Sequence, residues 1–316
     1  YMMNVVATLD DKISNDTCYC ATFQLIWNDL KENLVKGNIV FDSNNEMVNN
    51  LNKSLFNENM ISDDYYYKVY GLKNLKLKKE IEESIKKKFN TKSDILDSFN
   101  WTSASHNYFF YTMLYREFAY EKRFDVLKND TFGNYKNTKY FGILKNSNYA
   151  IRKQIEVLFY DSALEFAFKL ITKDESEIIF YKNPKGNTFN EIYNNLKEKT
   201  ESYNGDHIFN DGDYFKAPII NLNVLKEYYE VQGKIFKLYD GNEACIENAI
   251  QTINLTLDEK GGKIKSEAAM DIKVMSFNPY ESRYFYVDNT FALFIKEKDK
   301  NIPYFAALIN DITKCQ

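Results

Sequence analysis

The spacing of apolar residues predicts helices mainly in the first third of the chain. One helix is predicted from a cap at residues 15–17 to about Lys36, because apolar residues recur there on one rough face. A short strand followed by a helix is predicted over residues 38–51, and a strand over 64–70. Around residues 78–88 apolar side chains recur every four positions, which indicates an amphipathic surface helix whose lysines face solvent.

From Asn107 onward the pattern changes to short apolar or alternating runs, which are typical of strands. The predicted strands cover residues 108–115, 139–143, 154–160, 177–181, 214–222, 251–257, 285–295 and 303–309. One more helix is predicted at residues 188–199. Helices that come early and strands that follow them predict an α+β fold.

Composition narrows the classes of function. The chain has 316 residues, with 41 Lys+Arg against 45 Asp+Glu and a formal net charge of -4, so no basic field is present to hold nucleic acid or an anionic membrane. No run of about eighteen apolar residues occurs, so we expect no membrane span. Neither a repeat nor a low-complexity linker interrupts residues 1–316, which favours a single domain. The abundance of Asn, Lys, Ile, Tyr and Phe suggests an AT-rich, bacterial genome.

Residues suited to catalysis or metal binding are scarce. The two histidines are His106, which we interpret as a strand-start residue because an apolar run follows it, and His207. His207 lies in the Asp-rich stretch 204–213, which lacks the alternating ligand order of a calcium loop and is interpreted as a surface turn. A Ser-His-Asp or Cys-His site needs a histidine base, so we expect no enzymatic activity, no metal site and no cofactor.

The four cysteines, Cys18, Cys20, Cys245 and Cys315, form no recognisable motif. The pair Cys18-x-Cys20 is one residue shorter than a redox Cys-x-x-Cys motif, and no partners lie at metal-ligand spacing. One long-range disulfide stays open as a possibility. Four cysteines in 316 residues do not make a disulfide scaffold, however.

Four segments of the C-terminal third follow one another in a characteristic order. A long strand at residues 246–257 is followed by Asp258-Glu259-Lys260-Gly261, by a strand at 285–295 and by another at 303–310. This order resembles the serpins, in which a long strand leads into a Glu-x-Gly hinge, an exposed reactive loop and two closing strands.

Three upstream segments extend the resemblance over most of the chain. Residues 112–124 fall where serpins carry an Asn-Ala-x-Tyr-Phe-x-Gly-x-Trp motif. Residues 156–160 resemble the family's Leu-Pro-Tyr strand, and residues 38–43 resemble the start of its second helix.

The chain also departs from the serpin pattern. Thr112 stands where the family has a buried Asn, Tyr120 where it has Trp, and Asn289-Thr290 where it has His-Pro. The segment 52–64 is short, so one or two helices are expected to be missing. The alternative is an unrelated α+β domain whose strands happen to follow a similar order.

The resemblance implies a serpin-like α+β fold, in which the helices of the N-terminal third pack on a large mixed central β-sheet with smaller sheets beside it. It also implies an exposed reactive loop at about residues 261–284, with Glu259, Gly261 and Gly262 as its hinge. In inhibitory serpins a protease cuts this loop, and the freed loop becomes a new strand of the main sheet.

The residues of this loop are compatible with insertion as a strand. Alternate positions after Gly262 carry no charge, whereas five of the seven intervening positions from 263 to 275 are charged. The uncharged inserting face consists of Ile264, Ser266, Ala268, Met270, Ile272 and Val274. The same alternation would also suit an ordinary half-buried strand. Lys263, Ile264 and Lys265 are bulkier than the residues that usually follow the hinge of an inhibitor.

The spacing of inhibitory serpins also locates a reactive bond. Counting from the hinge Glu259 to the residue that enters the protease's specificity pocket leads to Met275, which places the cut at Met275–Ser276. A Met side chain suits the apolar pockets of chymotrypsin-, elastase- or subtilisin-like proteases, which are the expected partners.

We therefore expect an inhibitor of serine (or cysteine) proteases that acts as a suicide substrate. We expect a monomer at an extracellular or cell-surface location, its signal peptide removed. The second hypothesis is a non-inhibitory serpin-like binding or structural protein. The third is an enzyme of unrelated fold.

Overall fold

The computed structural model describes residues 3–93, 95–102, 106–144, 147, 149–260 and 280–316. Within them the α-helices are α1 (Thr22–Leu30), α2 (Glu46–Asn52), α3 (Leu75–Phe89), α4 (Tyr149–Arg152) and α5 (Phe189–Ser202). The strands are β1 (Asn4–Val6), β2 (Thr17–Cys20), β3 (Tyr66–Leu72), β4 (Asn107–Glu117), β5 (Asp125–Val126), β6 (Asp130–Phe132), β7 (Tyr135–Thr138), β8 (Tyr140–Gly142), β9 (Ile155–Ser162), β10 (Glu165–Ile171), β11 (Ser176–Lys182), β12 (Tyr214–Pro218), β13 (Ile220–Glu227), β14 (Ile235–Lys237), β15 (Glu243–Leu257), β16 (Tyr284–Tyr286), β17 (Phe291–Glu297) and β18 (Phe305–Ile309).

The strands form three main sheets. The central sheet has the order β13-β15-β4-β3, and β14 extends it by pairing with the start of β15. A second sheet has the order β1-β2-β18-β17-β11-β10-β9, and a third has the order β16-β12-β8-β5, while β6 and β7 pair with each other. Among the described strands of the central sheet, the pair β4–β15 is parallel, and β13–β15, β14–β15 and β3–β4 are antiparallel.

Helices cover both faces of the central sheet. Phe110 of β4 packs in the same core cluster as Trp27 of α1. Its neighbours Phe109 and Tyr111 pack with Ile81 of α3 in a different cluster. Successive side chains of a strand point to opposite faces, so α1 lies on one side of β4 and α3 on the other.

The helix predicted to begin at residues 15–17 starts later than expected. Asp16 has a left-handed backbone conformation with φ 61°, and its Oδ1 accepts hydrogen bonds from the N–H groups of Asn310 and Asp311 at 2.9 and 2.8 Å. Thr17–Cys20 then forms the fully buried strand β2, which pairs with β18. The prediction was wrong because the partner strand β18 lies at the other end of the chain. Local periodicity carries no information about pairing with so distant a segment.

The remaining local predictions were mostly confirmed. Helix α3 begins at the side-chain cap of Asn74, and helix α5 begins at that of Thr188. The strand predicted near residue 38 is absent from the described residues. Instead of pairing with another strand, the Ile39 N–H donates to Asn52 Oδ1, and the Ile39 carbonyl accepts from Asn52 Nδ2. No helix in the described ranges is long and apolar enough to cross a membrane.

Candidate functional site

The parallel junction between β4 and β15 lies at the centre of the main sheet, and we call it the β4–β15 junction. Its residue pairs run from Cys245–Asn107 to Thr256–Glu117, with one irregularity between Ile246 and Asn248. A strand placed antiparallel between two parallel strands can bond to both of them and would replace one parallel ladder by two antiparallel ones. Parallel pairing is slightly less stable per residue. Among the described strands of this sheet, β4 and β15 are thus joined by the less stable type of ladder.

A buried polar network lies under the middle of the β4–β15 junction. It consists of Thr22, Thr112, Tyr228 and Gln251, whose residues are all fully buried. Gln251 Nε2 donates to Thr22 Oγ1 at 2.8 Å and to the Cys20 carbonyl at 3.0 Å. The Tyr228 hydroxyl donates to Gln251 Oε1 at 2.5 Å, and Thr22 Oγ1 donates to Thr112 Oγ1 at 3.2 Å.

This network ties the two strands of the junction to the helix beneath them. Gln251 and Thr112 are register partners across the junction, and Thr22 is the first residue of α1. Buried polar atoms are costly unless they are hydrogen-bonded, and each bond in the network satisfies two of them. Separating β4 from β15 therefore requires these bonds to break or to find new partners.

The chain beyond β15 stays close to the chain beyond β4. The Glu259 carbonyl accepts the Phe124 N–H at 3.0 Å, and the Lys260 carbonyl accepts the Tyr120 N–H at 3.2 Å. Arg123 Nη2 lies 3.2 Å from Glu259 Oε1. The predicted hinge residue Glu259 is thus held at the end of the β4–β15 junction where β15 finishes.

Tyr120 occupies the position between the hinge and the core. Its side chain is fully buried, and burial raises the pKa of Tyr120 well above its usual value, with a further increase from the nearby carboxylates of Asp258 and Glu259. Its ring packs edge-on against Phe124 at 4.7 Å between centroids. The buried Tyr120 therefore connects the hinge to the core, because its backbone N–H bonds to Lys260 and its ring packs against Phe124.

The other residues predicted for the loop lie outside the described residues. These are Gly261 and Gly262 of the hinge, the inserting face Ile264, Ser266, Ala268, Met270, Ile272 and Val274, and the reactive bond Met275–Ser276. Their roles stay predictions.

Each of the two histidines lies beside a strand and takes part in a hydrogen bond that involves the backbone. His106 directly precedes β4, as expected, and its carbonyl accepts the Cys245 N–H at 3.2 Å. His207 Nδ1 lies 2.7 Å from the Val157 carbonyl, beside the edge of β9. Among the residues that the structure describes, no group of three or more His, Cys, Asp or Glu side chains is placed to hold a metal ion.

All four cysteines are free thiols, so the disulfide left open by the sequence is not formed. Burial raises the pKa of Cys20 to about 11 and that of Cys315 to about 12, and it raises the pKa of Cys18 still further. Burial also raises the pKa of the half-buried Cys245. Because a thiolate is the reactive form of cysteine, these side chains are poor nucleophiles.

The members of the buried polar network other than Thr112 were not singled out from the sequence. The available signal was Gln251, a polar residue in the apolar run Ile250-Gln251-Thr252-Ile253 of a predicted strand. Thr22 and Tyr228 carry no comparable signal, because their polar contacts lie with residues that are distant in the chain.

Comparison with known proteins identifies the fold. No family model matches the chain, and no curated protein matches it. A serine protease inhibitor (serpin 12) of Manduca sexta matches with a TM-score of 0.50 and 16% identity, over 77% of this chain and 67% of that chain. The thermophilic serpin tengpin, solved in its native state, matches with a TM-score of 0.52 and 13% identity, over 76% of this chain and 64% of that chain.

The chain therefore has a serpin fold, spanning about two thirds of the length of these two structures. This confirms the predicted α+β fold class and the serpin-like arrangement of a mixed central sheet with further sheets beside it.

Proposed function

We propose that this protein inhibits serine (or cysteine) proteases as a suicide substrate, through cleavage of a loop at about residues 261–284 and its insertion as a strand at the β4–β15 junction. The observation that carries the proposal is the direct parallel pairing of β4 with β15, with Glu259 held at its end. Because β15 leads straight into the loop, a loop that folds back would run antiparallel to both strands.

The chemistry would be supplied by the protease. Its serine hydroxyl adds to the Met275 carbonyl, the peptide bond to Ser276 breaks, and the hydroxyl proton passes through the protease's histidine to the new Ser276 amine. The product is an ester between Met275 and the protease. Insertion of residues 262–274 would then carry the ester away from the hinge before water hydrolyses it. No enzymatic activity of this chain is needed.

The uncharged side of the loop suits the buried face of the junction next to α1. A strand inserted there would present one set of side chains to the buried polar network and to α1. The uncharged positions Ile264, Ser266 and Ala268 can be buried there, whereas Lys263 and Lys265 would point to the opposite face. The absence of charge from one complete face supports insertion in this register.

The proposal carries further expectations about partners and location. The target is a chymotrypsin-, elastase- or subtilisin-like protease, because Met275 would enter an apolar specificity pocket. We take residues 1–316 as one serpin-like domain that acts as a monomer in an extracellular or cell-surface location.

The second candidate is a non-inhibitory serpin-like binding or structural protein. It is favoured by the bulk of Lys263, Ile264 and Lys265, directly after the hinge, where a slow first step of insertion would allow the ester to hydrolyse. Such a protein would be cleaved in the loop without retaining the protease.

Incubation with a panel of serine proteases, followed by a denaturing gel, separates the two candidates. An inhibitor gives a complex that survives denaturation and releases a fragment beginning at Ser276. The matched control is the same protease with its catalytic serine replaced by alanine, which can form no ester. Cleavage of the loop by every protease tested, with no covalent complex, would favour the non-inhibitory protein.

A further inference from the structure

Strand β3 forms one edge of the central sheet. Among the described strands it pairs with β4 alone, in the antiparallel register that runs from Tyr66–Leu114 to Leu72–Tyr108. It has seven residues, contains no proline, and shows no bulge in its pairing. Native proteins usually shorten, cover or distort an edge of this kind, because it can pair with another chain.

Alternate residues of β3 leave their main-chain groups unpaired. The Lys73 N–H donates to the Asn107 carbonyl at 2.9 Å. Because hydrogen bonding alternates along an antiparallel pair, Tyr67, Val69 and Gly71 also bond to β4. The N–H and C=O groups of the other four residues point away from β4, and no described residue forms a hydrogen bond with them. We call these outward groups of Tyr66, Lys68, Tyr70 and Leu72 the β3 edge.

The opposite side of β4 gives the same assignment. The carbonyl of His106, directly before β4, accepts the Cys245 N–H at 3.2 Å. Even-numbered residues of β4 therefore face β15, and odd-numbered ones face β3. The register pairs these odd-numbered residues with Tyr67, Val69 and Gly71, which leaves the β3 edge pointing outward.

One end of the β3 edge is apolar and in contact with solvent. Along the strand, Tyr66 is buried, residues 67–71 are half-buried and Leu72 is 45% exposed. Leu75, the first residue of α3, is 63% exposed. An added strand would cover these two leucine side chains at the end where β3 finishes.

The other end of the β3 edge is acidic. Lys68 is the one charged residue of β3, and it already forms ion pairs with Asp29 of α1 and with Glu58. Asp63 lies three residues before Tyr66, in the turn that leads into the strand, and is exposed. Three carboxylates therefore gather around the start of β3.

The pKa values agree with an excess of negative charge at this end. Burial raises the pKa of Tyr66, and the carboxylates of Glu58, Asp63 and Asp29 raise it further, against a decrease due to Lys68. Burial also raises the pKa of Asp29, and Glu58 contributes to the increase despite the ion pair with Lys68. Lys88 of α3 lies 5.6 Å from the centroid of the Tyr66 ring and offsets one of these charges, which leaves carboxylates in excess.

A basic peptide in an extended conformation matches both the hydrogen-bonding groups and the charges of the β3 edge. Its main chain supplies donors and acceptors at every second residue, and antiparallel pairing is the more stable arrangement. An antiparallel strand would start opposite Leu72 and end opposite Tyr66, so apolar residues would come first and basic residues last. A second copy of β3 would place its own Leu72 opposite Tyr66 and would bring no positive charge to the acidic end.

We propose that the β3 edge binds a basic, extended segment of a partner protein as an additional antiparallel strand of the central sheet. The segment carries apolar residues opposite Leu72 and Tyr70, followed by Lys or Arg opposite Tyr66, where Glu58 and Asp63 attract them. This binding function is separate from protease inhibition, because it uses neither the β4–β15 junction nor the loop after β15.

Three capped, fluorescent peptides test the proposal. The first is Leu-Thr-Val-Thr-Thr-Thr-Arg-Thr-Arg, whose first and seventh residues would lie opposite Leu72 and Tyr66. The second has Glu in place of both Arg residues. The third carries N-methyl groups on its third and fifth residues, which removes two main-chain donors to the β3 edge and keeps every charge. Fluorescence anisotropy should show that the first peptide binds at least about tenfold more tightly than the other two.

Two pairs of protein variants locate the binding. Leu72→Pro removes an outward N–H that no described residue accepts, and edge strands tolerate proline at such a position. Its matched control is Leu72→Ala, which keeps the N–H, and the first peptide should bind about fivefold more weakly to Leu72→Pro. Asp63→Asn should weaken binding about threefold relative to Glu201→Gln, which removes an exposed charge from α5.

Hydrogen exchange is the direct readout of strand addition. Saturating peptide should slow exchange of the Lys68 and Tyr70 amides at least about tenfold, whereas the Tyr67 and Val69 amides, which bond to β4, should change little. Exchange that stays unchanged, or that slows equally at all four amides, would overturn the inference.

The peptides and the oligomeric state supply the other contrary outcomes. Equal binding of the three peptides, or no binding of the first, would mean that the β3 edge does not recognise a basic strand. If the wild type forms dimers with rising concentration in analytical ultracentrifugation and Leu72→Pro stays monomeric, the occupant is a second copy and the proposal is wrong. If Leu72→Pro does not fold, the N-methylated peptide tests the same hydrogen bonds on the wild type.

Discussion

The side-chain amide of Gln251 lies 2.8 Å from the hydroxyl of Thr22, which joins the middle of β15 to the first residue of α1. These residues are 229 positions apart in the chain. Thr22 Oγ1 also bonds to Thr112, so one hydroxyl links both strands of the β4–β15 junction to the helix. The hydroxyl of Thr22 therefore bonds to side chains of both strands of the β4–β15 junction.

Replacement of this hydroxyl should weaken the fold. Thr22→Val keeps the shape of the side chain but removes the acceptor of Gln251 Nε2 and the donor to Thr112. We expect the free energy of unfolding to fall by about 1–3 kcal/mol, because buried polar groups lose their partners. Urea denaturation measures the change.

Thr252→Val is the matched control for this change. Thr252 is also buried, but its hydroxyl donates to the Thr112 carbonyl over a longer distance, 3.4 Å, so the loss should be smaller, about 0.5 kcal/mol. If Thr22→Val and Thr252→Val lose equal free energy of unfolding, the buried polar network does not contribute more to stability than the hydroxyl of Thr252 does.

Cleavage of the loop should raise the thermal stability of the protein. If residues 262–274 enter the β4–β15 junction, the uncut form is kinetically trapped and is not the form of lowest free energy. A single cut between residues 270 and 280 should then increase the melting temperature substantially, as measured by calorimetry. A melting temperature that is unchanged or lower after the cut would exclude insertion and leave the fold assignment intact.

Ile264→Arg should convert the protein from an inhibitor into a substrate. Position 264 belongs to the uncharged face, and a guanidinium there would have to be buried in the sheet at a cost of several kcal/mol. The variant should fold normally and be cleaved without forming a covalent complex on a denaturing gel.

Lys265→Arg provides the matched control, because position 265 lies on the opposite face and keeps its charge. It should trap the protease as well as the wild type does. If Ile264→Arg traps normally and Lys265→Arg does not, the buried face has been assigned one residue out of register.

The position of the cut should be Met275–Ser276. Mass spectrometry of the C-terminal fragment should therefore find Ser276 at its start, after treatment with a chymotrypsin- or elastase-like protease. A fragment starting at Val274 would indicate a trypsin-like target that cuts after Lys273. A fragment that starts beyond Pro279 would overturn the register counted from Glu259.

Asp174 should make the free energy of unfolding fall as the pH becomes acid. Burial raises the pKa of this carboxyl, but the hydrogen bond from Thr172 and the nearby Arg116 guanidinium outweigh it and lower the pKa from 3.8 to about 2. A carboxyl with a lowered pKa in the folded state stabilises the protein above its unfolded pKa, and this contribution is lost as the pH falls from about 4 to about 2. Since 40% of the side chain is exposed, screening by solvent leaves about 1 kcal/mol.

Comparison of the wild type with Asp174→Asn tests this dependence. The variant should be less stable at neutral pH, and the difference should disappear near pH ~2 in urea denaturation curves. Glu175→Gln is the control, because both side chains of the Glu175–Lys298 ion pair are exposed to solvent. A constant difference between wild type and Asp174→Asn across the acid range would contradict the prediction.

Local patterns predicted individual elements well where one face of an element is buried. The four-residue spacing of Leu77, Ile81 and Ile85 predicted α3, and these three side chains are buried in the structure. The strands predicted at residues 108–115 and 251–257 lie within β4 and β15. Their adjacency was not predicted, because no local pattern states which strands pair.

The hinge role of Glu259 stays a prediction, and the interior of the candidate site was not predicted. Glu259 was singled out by the resemblance to the serpin hinge, and the structure holds it at the end of the β4–β15 junction. The Asp-rich stretch 204–213 was interpreted as a surface turn, yet Asp213 is fully buried against Arg283, which is 70 positions away. The sequence contained both charges, but not their contact.

The sequence by itself determined the period of each element, the alternation of charge from residue 263 to 275 and the scarcity of catalytic side chains, since these depend on neighbouring residues alone. Tertiary structure alone decided that Thr17–Cys20 is a strand, that Gln251 meets Thr22, and that Arg283 closes on Asp213. The physical reason is that burial and hydrogen bonding are properties of surroundings. Those surroundings are assembled by segments that lie far apart in the chain, and only the folded topology brings them together.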